Sequence, residues 1–154
     1  MKRDIIGKPE FALDAGKAAE HLVCADLMLN GYRVFLSDQG LPYDLVVDMG
    51  SRFVRVQVKA TGRPRNSNTC GRTPNLVYSY SVRRRGKNGK GDRLSDVHCD
   101  VVALVALDIR AIAYFSVSRV SQTVYLHPPG YTFPGKYKRN RIAPITEFPF
   151  ERAL

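Results

Sequence analysis

Asp44, Gln57 and Lys59 bring a carboxylate, an amide and an ammonium to one short stretch of chain. Held together on rigid strands, those three groups could seat a hydrated divalent cation against a phosphate. The stretch from Pro42 to Lys59 reads as a β-hairpin. Asp44 opens a short apolar strand that runs to Asp48. Val54, Val56 and Val58 alternate with Arg55, Gln57 and Lys59, the period of a second strand. Gly50-Ser51 is a two-residue turn signal between them. With that turn, Met49 faces Arg52, Val47 faces Val54, Val46 faces Arg55 and Asp44 faces Gln57. Opposite residues share a face, as do residues two apart along a strand, so Asp44, Gln57 and Lys59 converge. A slip of one residue would send Asp44 to the other face. Taken singly, each has an ordinary role. Asp44 marks a strand start, Gln57 suits an edge strand and Lys59 is a solvated strand end.

A helix precedes the hairpin, predicted from about Ala15 to Asn30, with Asp14 as N-cap and Gly31 as stop. Its expected main stripe is Ala18, Leu22, Ala25 and Leu29, widened by Ala19, Val23 and Leu27. Glu20 falls at the margin of that stripe. It is either a solvated carboxylate or a further acid for the hairpin site. Tyr32 to Ser37 reads as a strand. Thr61 to Gly71 reads as a loop, and Asn75 to Val82 as a strand ending in the basic, glycine-rich tip 83–91. Val97 to Leu107 is apolar enough for a buried central strand, with Ile112 to Val117 as its hairpin partner. Thr123 to Leu126 adds an edge strand. The tail 127–154 carries five prolines and is expected to run extended over the surface. His21, His98 and His127 have no ligand spacing and read as structural. Tyr78 and Tyr80 read as core.

The chain's 154 residues, 44% apolar, suit one globular domain. The longest apolar run, Val101 to Leu107, is strand-sized, so no membrane span is expected. No signal peptide is legible at the N-terminus, and Cys24, Cys70 and Cys99 are odd in number and scattered. The reading is a cytoplasmic, reducing setting. The net charge of +10 asks for a polyanionic partner, and nucleic acid fits best. Nine basic residues between positions 63 and 93 stand against Asp92 alone: Arg63, Arg65, Arg72, Arg83, Arg84, Arg85, Lys87, Lys90 and Arg93. Charge runs are usually solvated faces. These flank a strand with a glycine-rich tip, a ribbon able to enter a major groove, with arginines on guanine edges and Lys87 and Lys90 on phosphates. Lys136, Lys138, Arg139 and Arg141 extend the basic surface.

A helix with Glu20, then Pro42-Tyr43-Asp44, then Gln57-Val58-Lys59 resembles the PD-(D/E)xK nuclease superfamily. The resemblance covers residues 14–126. It implies an α/β fold with an αβββαβ-type core and a mixed sheet, to which this chain adds the basic loop and ribbon 61–95. It also implies magnesium-dependent DNA cleavage, with manganese as a substitute ion. Asp44 would be the chief metal ligand, Gln57 would complete the metal or water shell, and Lys59 would position the attacking water. Glu20 would stand behind the metal or bind a second one. Two departures stand out. Tyr43 separates proline from aspartate, and Gln57 replaces an acid, which should weaken metal affinity. Gln57 makes the chain similar to the group I intron homing endonuclease branch. The expected activity is therefore sequence-specific double-strand breakage by a homo-oligomer, dimer or tetramer, on double-stranded DNA. The alternatives are a Holliday junction resolvase or other repair or phage nuclease, and a DNA-binding module on a decayed nuclease fold.

Overall fold

A computed structural model describes residues 4–67, 73–84, 91–134 and 142–154. Helix α1 spans Ala12–Leu29. Its alanines favour helix, and the Ala19-Val23-Leu27 line is fully buried. The expected stripe is therefore rotated: Ala25 is exposed and Leu29 is 88% exposed. Two stripes of similar apolarity compete on this helix, and packing against the sheet selects the one with fourfold spacing. Asp14 is not the N-cap. It lies inside the first turn, where it complements the helix dipole, and the helix starts from a Pro9–Phe11 turn with no side-chain cap. The stop is at Gly31, φ 89°. Gly31 N–H donates to Met28 O and Tyr32 N–H to Leu27 O, a Schellman motif that sends the chain back along the sheet.

The strands are β1 Arg33–Leu36, β2 Leu45–Asp48, β3 Phe53–Thr61, β4 Arg65–Asn66, β5 Leu76–Ser81, β6 Arg83–Arg84, β7 Asp92–Arg93, β8 Val101–Ala106, β9 Ala111–Ser116 and β10 Thr123–Leu126. A five-stranded sheet has the order β1-β2-β3-β8-β9. Its pairs are antiparallel except β3 with β8, so the sheet is mixed. Strand β8 is buried on both faces. One face packs Leu45, Val47, Val54, Val56 and Val58 against α1. The other packs Val102, Leu104 and Ala106 with Tyr78 and Tyr80, below a small sheet of order β10-β5-β4.

A parallel pair needs a crossover, and here β4 to β7 carry it. The second helix of an αβββαβ core is absent among the described residues, where α1 is the one α-helix. Thr61 belongs to β3, and the expected loop after it contains β4. The basic ribbon forms as expected: Arg83 pairs with Arg93 and Arg84 with Asp92.

The tail is not a surface strap. Ile145 and Phe150 are buried, and Ile145 N–H donates to His127 O. Tyr114 N–H donates to Phe148 O, covering the β9 edge. Phe150 meets Tyr32 and Tyr114 edge-on at 5.0 and 5.4 Å. The prolines shape the tail's path, and its aromatic residues fix it to the core. Truncation of Phe150 leaves a cavity between two rings and the sheet. Phe150→Ala should lower stability by about 3–5 kcal/mol, read from urea unfolding midpoints; a change below about 1 kcal/mol would return the tail to the surface.

Candidate active site

The hairpin has the register that Gly50-Ser51 predicts. Met49 N–H donates to Arg52 O, and Val47 pairs with Val54 and Val46 with Arg55. Asp44, just before β2, donates its N–H to Val56 O at 2.9 Å. Its Oδ2 then accepts two bonds, from Gln57 Nε2 at 2.6 Å and from Val58 N–H at 2.7 Å. The carboxylate is thus fixed to the strand it faces. Gln57 Nε2 also approaches Val58 O at 3.3 Å. Lys59 follows two residues on, half-buried, its ammonium acting on Asp44.

Glu20 on α1 reaches the same space, where its charge acts on Asp44. Its Oε2 is held by Lys17 Nζ at 2.6 Å. Lys17 was not singled out from the sequence, although it stands three residues before Glu20, the spacing at which helical side chains meet. Asp44 and Gln57 are thus hydrogen-bonded, and Glu20, Lys59 and Lys17 are near enough for their charges to act on Asp44.

Burial dominates the electrostatics. It raises the Asp44 carboxyl above the ordinary range; the Val58 N–H bond and the Lys59 and Lys17 charges oppose that, and Glu20 reinforces it. Burial likewise lowers Lys59, against the pull of Asp44 and Cys99. A partly desolvated carboxylate with a second acid nearby suits a hard cation. The donor chemistry is compatible too: Asp44 and Glu20 carry carboxylate oxygens, and Val58 O lies 3.3 Å from the Gln57 amide nitrogen. Gln57 turns its nitrogen toward Asp44, so ligation through Oε1 requires the amide to turn over. Among the described residues, no three His, Cys, Asp or Glu side chains form a ready-made metal cluster. The set matches an ion that keeps waters and is completed by substrate phosphate.

Arg55, on the same face, secures the start of β8. Its Nε and Nη2 bond both oxygens of Asp100 at 3.1 and 2.9 Å, and its other donors cap Val97 O and Asp96 O. Burial alone would raise Asp100, but the Arg55 bonds and charge prevail and hold it below the ordinary value.

Of the predicted DNA contacts, Arg63, Arg65, Arg83, Arg84 and Arg93 fall among the described residues. Arg63 is exposed and reaches Asp4 at 3.5 Å, and Arg65 and Arg84 are exposed on β4 and β6. Arg83 bonds Gln122 at 2.8 Å and Arg93 bonds Val120 O at 3.3 Å, anchoring the ribbon. Arg72, Arg85, Lys87, Lys90, Cys70 and the tail's basic residues 136–141 lie outside the described residues. Tyr78 and Tyr80 are core, as expected; His98 bonds Ser95 nearby, and His127 bonds Leu76 O, 51 residues away in sequence. No described helix is long and apolar enough to cross a membrane.

Helix, hairpin and mixed sheet, with a carboxylate locked to the strand carrying Gln57 and Lys59, define a nuclease-like α/β fold. Residues 13–130 match the model of the PD-(D/E)XK endonucleases, and the chain belongs to that family. Its fold is similar to that of the bacterial homing endonuclease I-Ssp6803I, with TM-score 0.59 and 20% identity over 84% of this chain and 82% of that one. No curated protein matches its sequence.

Folding raises the affinity of the Asp44 carboxyl for its proton, so its stabilising contribution, present below the unfolded value, is lost as pH rises through the folded one. An asparagine oxygen can accept the same two bonds without charge. Without divalent ions, Asp44→Asn should therefore melt higher than wild type, by ~2–4 °C for each kcal/mol gained. Added magnesium should raise the wild-type melting temperature and leave that of Asp44→Asn unmoved. A variant that melts lower, or that responds equally to magnesium, contradicts a cation site.

Proposed function

We propose that the chain, as one domain spanning 1–154, is a magnesium-dependent DNA endonuclease of homing type, making sequence-specific double-strand breaks as a homo-oligomer inside the cell. The single observation that carries this reading is the pair of hydrogen bonds from Gln57 and Val58 to Asp44, with the Lys59 charge acting on it. Family membership supports hydrolysis of phosphodiester bonds. Asp44 and Glu20 would hold the divalent cation, with Gln57 completing its shell through the amide oxygen or a water. Bound there, the cation shields charge on the phosphate and lowers the pKa of water. Lys59, partly desolvated beside Asp44, would orient the attacking water or stabilise the charge building on the phosphate. Arg65 and Arg84, with the basic residues Arg85, Lys87 and Lys90 of the sequence between β6 and β7, would supply positive charge for the backbone and donors for guanine edges. Free Cys24 and Cys99 suit a reducing compartment.

Plasmid DNA and a four-way junction, each with and without magnesium, test the reading. Wild type should linearise the plasmid only with magnesium, at a preferred site. Junction cleavage with no preferred linear site would make the enzyme a resolvase. Binding without cleavage in every condition, with activity appearing in Gln57→Glu, would make it a decayed nuclease.

Asp44→Ala should abolish cleavage while DNA binding persists, because many phosphate contacts remain. Lys59→Ala should reduce the cleavage rate by at least about 100-fold, the scale of losing one group that stabilises transition-state charge, with little loss of affinity. Matched losses in binding and rate would recast Lys59 as a phosphate anchor.

Arg65→Ala or Arg84→Ala should relax base preference at one position of the site, each bidentate guanine contact contributing about 1–3 kcal/mol of discrimination. A uniform loss of affinity across sequences, with a shallower salt dependence, would mean that these arginines touch only phosphate.

A further inference from the structure

The two edges of the five-stranded sheet are treated differently. The tail covers β9. Among the described residues nothing pairs with the outer edge of β1. Ser37 N–H donates to Asp44 O, so by strand alternation Arg33 and Phe35 turn their backbone groups toward β2. Val34 and Leu36 turn theirs outward. Exposed edge strands are usually protected by charge, proline or a bulge. This one reads Arg-Val-Phe-Leu, with Phe35 52% and Leu36 46% exposed.

The geometry points to β1 as a self-pairing edge, through which two copies of this chain join their sheets into one of ten strands. Antiparallel pairing about Phe35 matches each layer of the strand. Val34 N–H and C=O meet Leu36 of the second copy, forming a hydrogen-bonded pair on each side of the axis. Phe35 meets Phe35 between them, on the face that carries Asp44 and Gln57. Val34 and Leu36 pair on the helix face. The two-fold axis is then perpendicular to the sheet, an isologous interface.

Charge favours a second copy over nucleic acid at this edge. From Leu29 to Gly50 the charged residues are Arg33 against Asp38, Asp44 and Asp48, a local balance of −2 in a chain of +10. On β1 itself Arg33 is paired with Asp48 at 3.9 Å and Asp38 follows the strand, so the edge presents no excess positive charge to a polyanion and no like-charge barrier to a second copy.

Joined this way, the two Asp44 carboxylates face the same side. They stand about 20 Å apart, given three strand spacings across and four residues of rise along. That arrangement offers one site to each strand of a duplex. This last consequence rests on the nuclease reading, whereas the pairing itself does not.

The test needs no DNA. Sedimentation of the full chain should give at least a dimer at micromolar concentration. Phe35→Lys should reduce the particle mass twofold with an unchanged circular dichroism spectrum, and Leu13→Lys, on the exposed start of α1, should not. Opposed Cβ atoms in a non-hydrogen-bonded pair lie within disulfide reach. Mild oxidation of Phe35→Cys should therefore give a covalent dimer, and Phe53→Cys, comparably exposed, should not. A monomeric wild type, an unchanged mass in Phe35→Lys, or equal cross-linking by both cysteine variants would overturn the proposal. If Phe35→Lys misfolds, the cysteine pair decides. A dimer that cleaves nothing would refute the nuclease reading and leave the interface standing. For an active enzyme, Phe35→Lys should nick duplex plasmid and lose linear product.

Discussion

The site depends on one bonded carboxylate. Asp44 stands immediately before its strand, where an aspartate could equally well cap the chain and point to water. Instead its Oδ2 takes the Gln57 amide and the Val58 N–H. Those bonds tie the first residue of one hairpin arm to the second arm, and they require the register set by the Gly50-Ser51 turn. Shifted by one residue, the valines of β3 would leave the α1 core together with the loss of the site. Packing and chemistry therefore select the same register.

Placing a carboxylate and an ammonium where water is scarce works against stability. Burial raises Asp44 and lowers Lys59, so each charged form is disfavoured. Their mutual attraction offsets part of this, as does Lys17 on Glu20 at the rim. The frame around them is correspondingly firm. Beneath lies the valine layer on α1; beside them β8 is buried on both faces and pinned by Arg55 to Asp100. A rigid scaffold holding a locally unfavourable cluster suits a site completed by a cation and a phosphate.

Local signals carried the hairpin, the α1 stop at Gly31, the β8–β9 pair and the ribbon. Turn glycines and strict alternation act over a few residues, and nothing distant competes with them. The face of α1 was harder, because two stripes have similar apolar content and the sheet chooses between them. β4 within the crossover was illegible for a related reason: it is two residues long and exists through pairing alone. The tail was misread because its prolines mask Ile145 and Phe150, whose partners on other elements are far away in sequence. At the site, Asp44, Gln57 and Lys59 came from strand parity, and Glu20 from its helix position. Lys17 was available at helical spacing from Glu20, and the Val58 N–H could come only from three dimensions.

The most direct measurement of the central claim is a manganese titration followed by amide resonances of the isotopically labelled protein. A cation held by Asp44 should broaden the Val58 backbone amide and the Gln57 side-chain amide at the lowest manganese concentration. Resonances around Asp26, which accepts the Tyr114 hydroxyl of β9, and around Glu151 in the tail should stay sharp at that point. Broadening that begins elsewhere, with Val58 and Gln57 intact, would contradict the account.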